Sequence, residues 1–159
     1  VSRHMAPLKR GRVLNRKRAA SIARIRSIQE TLALAAWAQA VSKERETSEM
    51  LRDYETRASE ATLEVAEKTK SGMEMRRLGE ETQAWRDGID RLENDLADRS
   101  RESLISKDAW QQRKIASEGT ARLLDRAVSQ EQEIYDRELS NLTDDLINSR
   151  HNRSTDEHN

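Results

Sequence analysis

The residues in this sequence with the widest chemical repertoire near neutral pH are three histidines, His4, His151 and His158, together with 29 carboxylates. All three histidines fall in the end segments, which are expected to be flexible, so they offer no preorganised metal or acid-base site. There is no cysteine, which excludes a disulfide framework and a thiolate metal site. No glycine-rich phosphate loop followed by Lys-Ser or Lys-Thr occurs, and neither a His-Glu-x-x-His helix nor a nucleophile elbow is present. Carboxylates do acid-base work when a desolvating cavity separates their proton affinities, and a narrow helical pair has no such cavity. The reading is a protein that is not an enzyme, with no cofactor and no metal.

The elements behind those side chains follow from composition. Of the 159 residues, 36% are charged and 35% hydrophobic, and the aromatics are three Trp and two Tyr with no Phe. That mixture can bury one narrow apolar seam but not a large globular core. Net charge is zero, with one Pro and five Gly, which favours helix over disorder. Residues 12–71 contain neither Gly nor Pro and are rich in Ala, Arg, Glu, Leu and Gln, so a first helix is expected over about 12–69. Its apolar residues step by three and four, first Ile25, Ile28, Leu32 and Ala35, then Leu51, Tyr54, Ala58, Ala61 and Val65. The two blocks are out of heptad phase, and Trp37 and Val41 are expected to carry the stripe through a phase slip between them.

Lys70-Ser71-Gly72-Met73 is the best interior turn, giving a reversal at about 70–74 and a second helix over about 75–149. Leu78, Thr82, Trp85, Ile89, Leu92 and Leu96 share one face of it, with Leu124, Val128, Tyr135, Leu142 and Leu146 continuing the seam. Gly79, Gly88 and Gly119 mark places of bending or fraying, each costing about 1 kcal/mol relative to Ala. The fold class is therefore all-α, a long antiparallel two-helix coiled-coil hairpin, with a disordered tail at 150–159. His4-Met5 reads as the join between a vector remnant at 1–4 and a native start. No run approaches the ~18 apolar residues of a membrane span, so no membrane span is expected and the cytoplasm is the default location.

Charge agrees with a hairpin. Nine basic residues, Arg3, Lys9, Arg10, Arg12, Arg16, Lys17, Arg18, Arg24 and Arg26, precede the first acid, Glu30, whereas 118–145 carries eight acids against three arginines. A reversal near Gly72 pairs residue n with roughly 144 minus n, which sets the basic segment beside Glu118, Asp125, Glu131, Glu133 and Asp136. Glu64 with Lys68, Asp87 with Arg91, Asp95 with Arg99 and Glu133 with Arg137 are favourable four-apart pairs.

The segment from Leu8 to Ile25, Leu-Lys-Arg-Gly-Arg-Val-Leu-Asn-Arg-Lys-Arg-Ala-Ala-Ser-Ile-Ala-Arg-Ile, resembles the basic opening of YscO-type (SctO) proteins of bacterial type III secretion systems. Trp85-Arg-Asp-Gly-Ile89-Asp-Arg-Leu92 is similar to their Trp-x-x-x-Ile-x-x-Leu at the start of the second helix. Leu51-Arg-Asp-Tyr54 and Trp110-Gln-Gln-Arg113-Lys114 resemble segments of the flagellar relative FliJ. The resemblance implies a helical hairpin acting as a central stalk. Such a stalk engages the hexameric secretion ATPase, stimulates it without catalysing hydrolysis, contacts the cytoplasmic domain of the export gate, and in some members escorts secretion chaperones. It also implies a location at the cytoplasmic base of the apparatus. Carried onto this chain, it assigns gate contact to Trp85, Ile89, Leu92 and Leu96, and ATPase contact at the open end to Arg10, Arg12, Arg16, Lys17 and Arg18. Gly88 departs from the pattern inside the gate stripe, where it weakens the helix.

Each assignment has a plainer counterpart. Trp85, Ile89, Leu92 and Leu96 can be seam residues facing the first helix, as can Trp37 and Trp110. The basic segment can simply pair with the acidic second helix. Nucleic-acid binding by that segment would be nonspecific, because no base-reading side chain or aromatic platform accompanies it. A generic coiled-coil scaffold or adaptor is the alternative function.

Overall fold

The structure, a computed structural model, describes residues 15–67 and 71–156, with side chains as far as Arg150. It contains two α-helices, α1 (Arg16–Glu67) and α2 (Gly72–Asp156), packed against each other as an antiparallel hairpin. The expected vector remnant, Arg10, Arg12, Lys68 and His158 lie outside the described residues. Among those described, no helix is long and apolar enough to cross a membrane.

Both helices begin at caps. Asn15 Oδ1 accepts from the backbone N–H of Lys17 at 2.9 Å and of Arg18 at 3.4 Å and caps α1 at Arg16, while the expected start near residue 12 lies outside the described residues. At α2 the Ser71 backbone N–H donates to Glu74 Oε2 at 3.1 Å while Ser71 Oγ accepts from the Glu74 N–H at 3.4 Å. This reciprocal capping box starts α2 at Gly72, ahead of the expected 75. Gly72 is thus the first helical residue and has no positive φ, so the freedom expected of it at the reversal is not what it supplies. At the other end α2 continues to Asp156, past the expected limit near 149. Residues 150–156 contain no Gly or Pro to interrupt the hydrogen-bond ladder, and 157–159 lie outside the described residues.

The chain divides into two units, Gln29–Lys114 and Val1–Ile28 with Ile115–Asn159. In the Gln29–Lys114 unit the inward positions of α1 are Ala33, Trp37, Ala40, Glu44, Thr47, Leu51, Tyr54, Ala58, Ala61 and Val65. Those of α2 are Leu78, Thr82, Trp85, Ile89, Leu92, Leu96, Arg99, Ser103, Ser106 and Trp110. Both sets alternate steps of three and four without interruption, so the expected phase slip at Trp37 does not occur. The first apolar block is off the seam instead: Leu32 and Ala35 are exposed here, and in the other unit so are Ile25 and Ile28. Trp37 stacks on Trp110 with ring centroids 5.0 Å apart, and burying that large indole fixes the register that turns Leu32 outward. Gly88 lies in regular helix where a Cβ would meet the Tyr54 ring at 3.6 Å, an ordinary contact.

In the other unit Ala19, Ala23 and Arg26 of α1 face Ser117, Thr120, Leu124 and Ala127 of α2, with Ala127 fully buried. Arg16 Nη1 lies 3.7 Å from Glu131 Oε2, as antiparallel pairing about residue 72 requires. The expected continuation of the seam through Val128, Tyr135, Leu142 and Leu146 is not found, since all four are exposed. Every residue from 128 to 150 is exposed, and Arg16, the first residue of α1, is level with Glu131.

Candidate interaction surface

Within Gln29–Lys114, Trp85, Ile89, Leu92 and Leu96 fall on one stripe of α2, as their spacing requires, and all four are half-buried. The stripe turns toward α1. Tyr54 of α1 meets the Trp85 ring edge-on at 5.1 Å, and the Arg57 guanidinium lies over that ring at 5.7 Å. Arg57 is also held by Asp53 at 3.3 Å, so the cation that covers the indole is positioned from the preceding turn. Leu96 lines an open furrow beside Val41, Glu44 and Arg52. These four residues therefore close the hairpin with one side and leave the other side accessible.

A second aromatic layer lies farther along the same unit. Trp37 and Trp110 stack with an interplanar angle of 18°, and Lys114 Nζ stands 5.4 Å from the centre of the Trp110 ring. The indole N–H of Trp110 is buried and makes no hydrogen bond. Between the two aromatic layers the seam passes from Leu51, Ile89, Leu92 and Leu96 to polar and small residues: Thr47 and Ser103 are buried, and Ser100 Oγ donates to Glu44 at 2.7 Å across the helices. Thr47 satisfies its hydroxyl on the Lys43 carbonyl at 2.9 Å. Arg113 donates to Gln29 Oε1 at 3.2 Å and closes the unit. Trp37 and Trp110 are thus seam residues, as their plainer reading held.

In the other unit Arg16, Lys17 and Arg18 are exposed in the first turn of α1. Arg16 pairs with Glu131, an exposed contact worth at most a few tenths of a kcal/mol to about 1 kcal/mol. Three like charges in the first turn oppose the helix dipole, so local stability does not account for them. Along α2 the expected Asp95–Arg99 and Glu133–Arg137 pairs form at 3.7 and 3.9 Å. Among the described residues no three carboxylates or histidines are grouped to hold a metal ion.

Sequence reasoning missed three features. The Ser71-x-x-Glu74 capping box is legible in the sequence, where it overlaps the expected turn at 70–74. The Arg57–Trp85 contact follows from Tyr54 and Arg57 sharing a face one turn apart, once the register is known. The outward Leu32 face had no signal of its own, because its spacing is as good a seam as the one that is used. Comparison with protein families, with characterised proteins and with solved structures gives no match to this chain.

Proposed function

We propose that this chain is a non-catalytic stalk of the YscO/FliJ kind in a bacterial type III secretion apparatus. It engages and stimulates the hexameric secretion ATPase and contacts the export gate, at the cytoplasmic base of the machinery, with escort of secretion chaperones as a further role. The observation that carries the proposal is the antiparallel hairpin whose second helix presents Trp85, Ile89, Leu92 and Leu96 as one half-buried stripe. Surface charge adds support, since Arg16, Lys17 and Arg18 put an exposed cationic turn at the start of α1.

Adding the purified chain to the cognate secretion ATPase is expected to accelerate hydrolysis. The Lys17→Glu, Arg18→Glu double variant should lose that effect while keeping its helical circular dichroism. A rate unchanged over a wide range of ratios sinks the proposal. For the gate, Trp85→Ala with Ile89→Ala should weaken binding with helicity retained, and parallel loss of both assigns the stripe to the seam alone. A generic coiled-coil scaffold is the second reading, favoured by the half-burial of that stripe against α1.

A further inference from the structure

From the level of Arg16 onward α2 carries an apolar stripe that nothing among the described residues covers. Val128, Tyr135, Leu139, Leu142 and Leu146 are spaced by seven, four, three and four, which sets them on one side of the helix. Tyr135 is 60%, Leu139 52%, Leu142 61% and Leu146 64% exposed. At 1.5 Å per residue the stripe runs about 27 Å, or about five turns. The positions bordering it on its two sides are Ser129, Glu131, Asp136, Glu138, Thr143 and Asp145, four acids and no base. In a helical pair such bordering positions choose the partner. Arg137 lies round the helix from the stripe, 3.9 Å from Glu133, and Arg150 stands a turn past its end. Asp136 accepts from Gln132 at 2.9 Å, a neutral donor that leaves the carboxylate charge uncompensated. Glu131 shows what this border takes, since Arg16 of α1 lies 3.7 Å from it.

We infer that this stripe is a docking site for a cationic amphipathic helix of another protein, with large apolar residues against the stripe and Lys or Arg against its borders. The border charge selects that occupant. A second copy of the chain, laid parallel or antiparallel, would bring Glu131, Asp136, Glu138 and Asp145 against the same acids. An anionic membrane surface and a nucleic acid are repelled by them as well, since both are bound by Lys and Arg. An acidic helix is excluded on the same ground. A cationic one repeats the Arg16–Glu131 pairing turn after turn while it buries Tyr135, Leu139, Leu142 and Leu146. Every residue of the site belongs to one unit of the chain. The inference does not rest on the secretion reading and stands or falls separately from it.

The probe is a synthetic peptide of about six helical turns, with Leu along one stripe and Lys at every bordering position. Labelled and titrated with the full chain at low salt, it is expected to bind with a Kd of about 1–50 µM by fluorescence anisotropy, more weakly as salt rises. The same peptide with Glu in place of Lys should bind at least about tenfold more weakly. Leu139→Gln with Leu142→Gln, both at exposed positions, should weaken the Lys peptide at least about tenfold with helical circular dichroism retained. Glu138→Lys with Asp145→Lys should reverse the preference between the two peptides. Met73→Glu, at a residue in the other unit, should change neither. Amides of 132–149 should slow their exchange when the Lys peptide is added. Absence of binding, equal binding by the Glu peptide or by a scrambled peptide of the same composition, or binding indifferent to the Leu and acid variants overturns the inference. Slow exchange of 132–149 in the chain alone overturns it too, whether another segment of the chain or, with rising concentration, a second copy is the cause.

Discussion

At the residue scale, the strongest contacts in the molecule are two aromatic pairs, and they do different work. Trp37 on Trp110 is a stack across the seam, whereas Tyr54 meets Trp85 by an edge and shares it with Arg57. Both pairs are only half-buried, so truncation should cost less than removing an aromatic from a closed core. Trp37→Ala and Trp110→Ala are each expected to destabilise by about 2–3 kcal/mol, with a coupling of about 0.5–1.5 kcal/mol in a double-mutant cycle read by urea titration. Glycines behave oppositely. A Cβ at Gly79 or Gly119 meets nothing within 4 Å, and both lie inside regular helix. Gly79→Ala and Gly119→Ala should each stabilise by about 0.5–1 kcal/mol, seen as a higher denaturation midpoint with an unchanged slope. A lower midpoint would mean that these positions are bent in solution.

At the scale of the element, α2 owes its start to two side chains. Ser71→Ala removes one half of the capping box and should cost about 1 kcal/mol, with faster amide exchange confined to the first turn of α2. Its far end is supported differently. From 128 to 150 every residue is exposed, including Tyr135, Leu139, Leu142 and Leu146, so this stretch has helix propensity but no packing partner among the described residues. Most helical stability in proteins comes from packing of one face rather than from propensity, and amides of 132–149 are therefore expected to exchange far faster than those of 78–127. Equal protection would mean that something covers the stretch. The sequence did disclose helix, reversal and antiparallel order here, because the lack of Gly and Pro and the acid-base asymmetry are local facts. It did not disclose where α2 runs past the described part of α1, because that depends on where Asn15 caps the opposite helix.

At the scale of the whole molecule, stability is spread thinly. The buried hydrophobic residues among those described are Ala19, Leu78 and Ala127, and no large side chain is fully enclosed. The Arg16–Glu131, Arg57–Asp53 and Arg101–Asp98 ion pairs are exposed and contribute little each. The two units also differ in what closes them. All three tryptophans lie in Gln29–Lys114, whereas the other unit is closed mainly by Ala19, Leu124 and Ala127. Thermal unfolding followed by tryptophan fluorescence should accordingly have a higher midpoint than the same transition followed by helical circular dichroism, which averages both units. Coincident curves would show that the units melt as one.

The sequence by itself determined that the chain is helical, that it turns back once near residue 72, and that the two strands of the hairpin run antiparallel with basic residues meeting acidic ones. It also set Leu78 to Leu96 on one stripe of α2, since one apolar series there has no competitor, but that this stripe turns toward α1 was decided by the tertiary structure. Tertiary structure decided which of two equally spaced stripes on α1 faces inward. Ile25, Ile28, Leu32 and Ala35 make a good seam in isolation, yet a helix can bury only one continuous register, and the indole of Trp37 against Trp110 outweighs them. Periodicity reports that a helix has an apolar side; which side is covered is settled by the partner that arrives to cover it.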